Sequence, residues 1–113
     1  MTKILIADDN KQITSILEEY SKKEGYDVSI AYDGIQAIEK IKKETYDIIL
    51  MDVMMPKMDG FEVVREIRKD SDVPVIMITA RGEDFEKIMG LDIGADDYIV
   101  KPFQMADLVK TIH

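Results

Sequence analysis

Five polar residues stand where short apolar runs of this chain stop: Asp8 and Asp9 after 3–7, Asp52 after 48–51, Thr79 at the end of 73–79, and Lys101 after 97–100. A bounded run rich in Ile, Leu and Val reads as a buried strand, and in open α/β sheets reaction sites lie beyond the carboxyl ends of the strands. If the strands are parallel, all five residues share one edge. Three carboxylates gathered there repel one another, and a hard divalent cation held by oxygen relieves that repulsion. Mg²⁺ takes octahedral oxygen ligands at about 2.0–2.1 Å, keeps some of its waters and leaves room for a phosphate oxygen; Mn²⁺ suits similar donors. Asp9 and Asp52 fit as direct ligands, with Asp8 acting through water. A carboxylate neutralised in this way can attack phosphorus and form an aspartyl phosphate, provided the charge developing on the phosphoryl oxygens is stabilised. Lys101 offers that charge. Thr79 offers a hydroxyl that gains its partner only once the phosphate is present. Taken singly, the same residues read as helix caps, a turn residue and a surface charge. Their coincidence at four strand ends favours the chemical reading.

The elements that must position them follow from periodicity. Strands are expected over 3–7, 26–31, 48–51, 73–79 and 97–100, with Pro74 tolerated near the start of the fourth. Between them, Ile13, Ile16, Leu17 and Tyr20 mark one face of a helix over 11–24 that Gly25 ends. Asp33-Gly34 opens a second helix with Ala37, Ile38 and Ile41 on one face. A third begins near Gly60, with Val63, Val64 and Ile67 inward and Glu62, Arg65, Glu66 and Arg68 outward. A weaker fourth is expected over 84–91, and a last carries Met105, Leu108, Val109 and Ile112. Five strand–helix repeats imply a parallel sheet with right-handed crossovers, an α/β fold.

Composition narrows the function. At 113 residues the chain has the length of one domain. Fifteen Lys and Arg against 23 Asp and Glu give a net charge of −8, which argues against direct binding to a phosphate backbone. Without cysteine, and with a lone histidine at position 113, thiolate chemistry and histidine metal clusters are excluded. No apolar run is long enough to span a bilayer and none resembles a signal peptide, so a cytoplasmic location is expected. The eight methionines read as core filler.

The set Ile-Ala-Asp8-Asp9, Asp52-Val-Met-Met-Pro56-Lys-Met-Asp-Gly60, Thr79-Ala80 and Tyr98-Ile-Val-Lys101-Pro102-Phe103 resembles the receiver domain of two-component response regulators, from Lys3 to His113. The resemblance implies a flavodoxin-like (βα)5 fold with strand order 2-1-3-4-5. It also implies a single receiver domain over 1–113, lacking the end of its last helix and any output domain. Asp52 would accept a phosphoryl group from a sensor histidine kinase, with Mg²⁺ held by Asp8, Asp9, Asp52 and the backbone carbonyl of Met54. Lys101 would clamp the phosphoryl group, Thr79 and Tyr98 would form the switch pair, and the Lys101-Pro102 bond would be cis. Met54 and Arg81 would modulate hydrolysis.

The wording from Ala80 to Asp84 and from Gly94 to Phe103 is similar to the subgroup with winged-helix DNA-binding output domains. There, phosphorylation favours a homodimer through the fourth helix, fifth strand and fifth helix, which places Lys87, Asp97 and Asp107 on the dimer face. Thr111 stands where that subgroup usually carries the arginine that pairs with Asp97. DNA would be reached only through an output domain, and transcription would be the regulated process. On this reading the chain is a regulatory phosphoacceptor rather than an enzyme acting on others. Two other readings use the same residues: a receiver-like interaction module independent of phosphorylation, and an Asp-nucleophile phosphatase. The phosphatase needs a general acid, and Met54 stands where a second Asp would serve.

Overall fold

A computed structural model describes residues 2–53, 55–80 and 97–101, with only the backbone described for 79–80 and 97–101. The elements in order are β1 (Lys3–Ala7), α1 (Lys11–Lys23), β2 (Asp27–Ala31), α2 (Gly34–Lys43), β3 (Ile48–Asp52), α3 (Gly60–Ile67), β4 (Val75–Ala80) and β5 (Asp97–Lys101). The strands form one parallel sheet in the order β2-β1-β3-β4-β5, the doubly wound arrangement expected from sequence. The segments at 84–91 and 102–113 lie outside the described residues.

Alternation along the strands builds two cores. Leu5, Ala7, Ile49, Met51, Val75 and Met77 face the side covered by Ala37 of α2 and by Phe61, Val63, Val64 and Ile67 of α3. Ile4, Ile6, Ile48, Leu50, Ile76 and Ile78 face the other side, against Leu17 of α1. Successive strand residues point to opposite faces, so continuous apolar runs are what a sheet buried on both sides requires. Both Met51 and Met77 are fully buried, as their reading as core filler requires.

Two expectations need correction. The buried residues of α1 are Thr14, Leu17 and Ser21, whereas Ile16 is 57% exposed. Small Thr14 and Ser21 let the helix approach the sheet, and the Thr14 hydroxyl is satisfied by donating to the Lys11 carbonyl at 3.1 Å. The contact face is therefore rotated away from the centre of the apolar stripe. In β4, Val73 and Pro74 precede the strand instead of starting it. Arg68, the C-cap of α3, donates to the Val73 carbonyl at 2.7 Å, which ties that residue to the end of the helix.

At the amino-terminal edge of the sheet, Glu44 binds Lys3 at 3.1 Å and accepts from the Tyr46 hydroxyl at 3.0 Å. The Lys3 hydrogen bond, more than any other influence, holds the Glu44 carboxyl below its ordinary value, and Glu44 in turn holds the Lys3 ammonium above its own. A depressed carboxyl contributes stability above its unfolded pKa and loses it as pH falls through the folded value; a raised lysine keeps its share until strongly alkaline pH. Glu44→Gln should therefore lower the melting temperature slightly at pH 7, with the difference closing in melts as the pH falls through and below the ordinary carboxylate range. Leu50→Ala removes a fully buried side chain from β3, and chemical denaturation should show a loss of about 2–5 kcal/mol.

Candidate functional site

Register brings the acidic residues together. Ala7 of β1 pairs with Met51 of β3, so the chain positions that follow, Asp8 and Asp52, lie side by side. Asp52 pairs with Ile78, one residue before Thr79, and Ala80 pairs with Lys101. Four strands thus end at one edge with their polar residues in step. Asp8 and Asp52 are buried and Asp9 is exposed, and each offers a carboxylate oxygen within 4.8 Å of the other two.

Local hydrogen bonds explain how the strand ends are held. The Asp8 N–H donates to Ala31 at 3.0 Å, and its Oδ1 accepts from the Asn10 N–H at 2.9 Å. Asn10 is the cap of α1, its side-chain oxygen accepting from Gln12 and Ile13 at 3.0 and 3.2 Å. Neither Asp8 nor Asp9 is thus needed as that cap, and the capping alternative is removed. Beyond Asp52, Val53 donates to Ile78 at 2.9 Å, and the chain then loops to α3. Gly60 closes the loop by donating to the Val53 carbonyl at 2.9 Å, so near the Asp52 carbonyl that a Cβ would collide with it. Asp59 caps α3 in a reciprocal capping box with Glu62. An Asn before an apolar period and the Asp-x-x-Glu pattern were signals that sequence reading passed over.

Thr79, Asp97, Tyr98 and Lys101 are placed by backbone register alone, whereas Met54, Arg81, Lys87, Pro102 and Asp107 lie outside the described residues. Among the described residues the triad is the one acidic cluster spaced for a metal. Its donor set is all oxygen, the chemistry Mg²⁺ prefers.

The model of the response regulator receiver domain matches residues 4–113. This chain belongs to that family. Its backbone is similar to the receiver domain of a Francisella response regulator, with 36% identity, a TM-score of 0.91, and coverage of 99% of this chain and 93% of that one. The chemotaxis protein CheY4 of Vibrio cholerae is also 36% identical, with a TM-score of 0.90 and coverage of 99% and 96%. The receiver domain of a Pseudomonas aeruginosa sensor histidine kinase, whose active-site cleft coordinates magnesium, is 35% identical over 98% of this chain and 93% of that chain, with a TM-score of 0.89. Receiver domains are regulatory signalling modules of two-component systems, work with histidine kinases and bind Mg²⁺ at an acidic pocket. Among the described residues no helix is long and apolar enough to cross a membrane.

Crowded like charges predict a specific stability signature. Asp9→Asn should relieve repulsion on the order of 1 kcal/mol and raise the melting temperature in EDTA by roughly 3–6 °C. The same variant should lose most of the Mg²⁺-dependent rise expected of the wild type, as thermal melts with and without the ion will show.

Proposed function

We propose that the chain is a phosphorylation-controlled switch in which Asp52 accepts a phosphoryl group from a phosphohistidine on a sensor kinase. The observation that carries this reading is the approach of the Asp8, Asp9 and Asp52 carboxylates at the edge where the strands bearing Thr79 and Lys101 also end. A carboxylate oxygen of Asp52 forms the new bond to phosphorus as the phosphorus–nitrogen bond breaks, and the imidazole nitrogen leaves with the electron pair. Asp8, Asp9, Asp52 and the carbonyl of Met54 hold Mg²⁺ (or Mn²⁺), which when bound neutralises charge on the carboxylates and the transferring group. Lys101 adds a fixed positive charge to the phosphoryl oxygens, its bond to Pro102 being cis. The Thr79 hydroxyl donates to the phosphoryl group once it is present, and Tyr98 turns inward into the space this opens. Water later attacks phosphorus and releases inorganic phosphate, at a rate that Met54 and Arg81 modulate.

The receiver domain spans 1–113 and acts in the cytoplasm. Its output is transcription, through a winged-helix DNA-binding domain and a phosphorylation-favoured homodimer whose face includes Lys87, Asp97 and Asp107. An interaction module that works without phosphorylation remains the second reading of this fold, and the acidic triad favours the switch over it.

Intact-protein mass spectrometry with acetyl phosphate tests the reading. The wild type should gain one phosphoryl group when Mg²⁺ is present, and Asp52→Ala should gain none. A folded, Mg²⁺-binding protein that stays unmodified would favour the interaction module. An adduct that survives in Asp52→Ala would place the acceptor elsewhere.

A further inference from the structure

The loop after Asp52 is held by an element far from it in sequence. The Met58 N–H donates to the Pro56 carbonyl at 2.7 Å, and Lys57 between them has a φ of 68°. Residues 56–58 therefore make a γ-turn of the strained, left-handed kind, which a residue other than glycine keeps only when its surroundings impose it. The start of α2 supplies those surroundings. The Met58 carbonyl lies so close to Gly34 that any Cβ there would collide with it. Beside this contact, the Lys57 ammonium pairs with Asp33 Oδ2 at 3.6 Å.

Asp33 divides its two oxygens between two tasks. Oδ1 accepts from the Gln36 N–H at 2.8 Å and caps α2, leaving Oδ2 to hold Lys57. The Asp33 side chain is only 10% exposed, whereas that of Lys57 is 66% exposed. Such a half-exposed pair adds little to global stability, so its consequence is local: it biases where the loop sits.

We propose that Asp33, Gly34 and Lys57 form a latch that positions the loop after Asp52 and thereby sets the affinity of the carboxylate triad for a divalent cation. The inference rests on the reading of Asp52 as a metal-binding phosphoacceptor. All three are positioning residues and none of them touches the reacting group. Gly34 admits the loop backbone, Asp33 fixes the anion on a capped helix, and Lys57 ties down the turn that follows Pro56.

Isothermal calorimetry with Mg²⁺ on wild type, Lys57→Gly, Asp33→Ser, the double variant and Lys57→Arg tests the latch, alongside melts in EDTA. Lys57→Gly removes the ammonium and relaxes the backbone, and Asp33→Ser removes the charge while keeping a helix cap. Each single change should weaken Mg²⁺ binding roughly two- to fivefold, and the double should weaken it no further than the worse single. Lys57→Arg should stay near wild type, and Lys57→Gly should melt in EDTA no lower than wild type. A simple long-range charge effect would move the singles in opposite directions, with Lys57→Gly binding more tightly. That pattern, fully additive losses, or singles that match wild type would each overturn the latch. Wild type failing to bind Mg²⁺, or Asp52→Ala binding as tightly as wild type, would instead overturn the site reading beneath it.

Discussion

The parallel pairing of β1 with β3 forces two buried carboxylates, Asp8 and Asp52, onto adjacent strand ends. At the effective dielectric of a protein, like charges at this separation repel by up to a few kcal/mol without a cation. The apolar strand residues behind them outweigh that cost. Ile4, Leu5, Ile6, Ile49, Leu50 and Met51 are all fully buried, and each such side chain contributes about 1.5–3 kcal/mol on leaving water. Repulsion at the edge is thus imposed by packing in the middle. A site built this way is ready to take up positive charge without having to assemble.

Rigidity is unevenly divided around the site. Strand ends inherit the stiffness of a sheet buried on both faces, and Asp8 is further held by the Asn10 N–H. The chain beyond Asp52 leaves the sheet, and among the described residues it is tied by the return of Gly60 to Val53, the seat of Met58 on Gly34 and the pairing of Lys57 with Asp33. A loop held by separate contacts rather than by a strand ladder is one whose placement small free energies can shift. A phosphoryl switch needs that combination, since the acceptor must stay fixed while the surrounding segments respond.

Much of this was legible in the chain because it depends on period. Continuous apolar runs gave the strands, and a polar residue at the ends of four of the five runs gave the edge. The face of α1 was less legible because burial there is set by close approach at Thr14 and Ser21, which apolar periodicity does not weigh; Ile16 stays exposed for that reason. The start of β4 was misread because the Val73 carbonyl is held by Arg68, a side chain from the preceding helix. The pairing of Asp33 with Lys57 joins residues on different turns, and no local pattern announces it. Asp33 could be read as a cap, and it is one, but its second oxygen is visible only in three dimensions.

Charge links the site to the whole molecule. A net charge of −8 sets the chain against nucleic acid and equally against anionic phosphoryl donors. Exposed acidic groups are screened beyond about 8 Å at physiological ionic strength, so the repulsion a donor meets at the site comes mainly from its nearest charges. Those are the carboxylates of the triad, two of which are buried and screened least. Such a cluster draws in a cation and turns away an unaccompanied phosphate. On the proposed function, phosphoryl acceptance would follow cation binding as a matter of electrostatics, since the cation must first offset the charge of the three carboxylates.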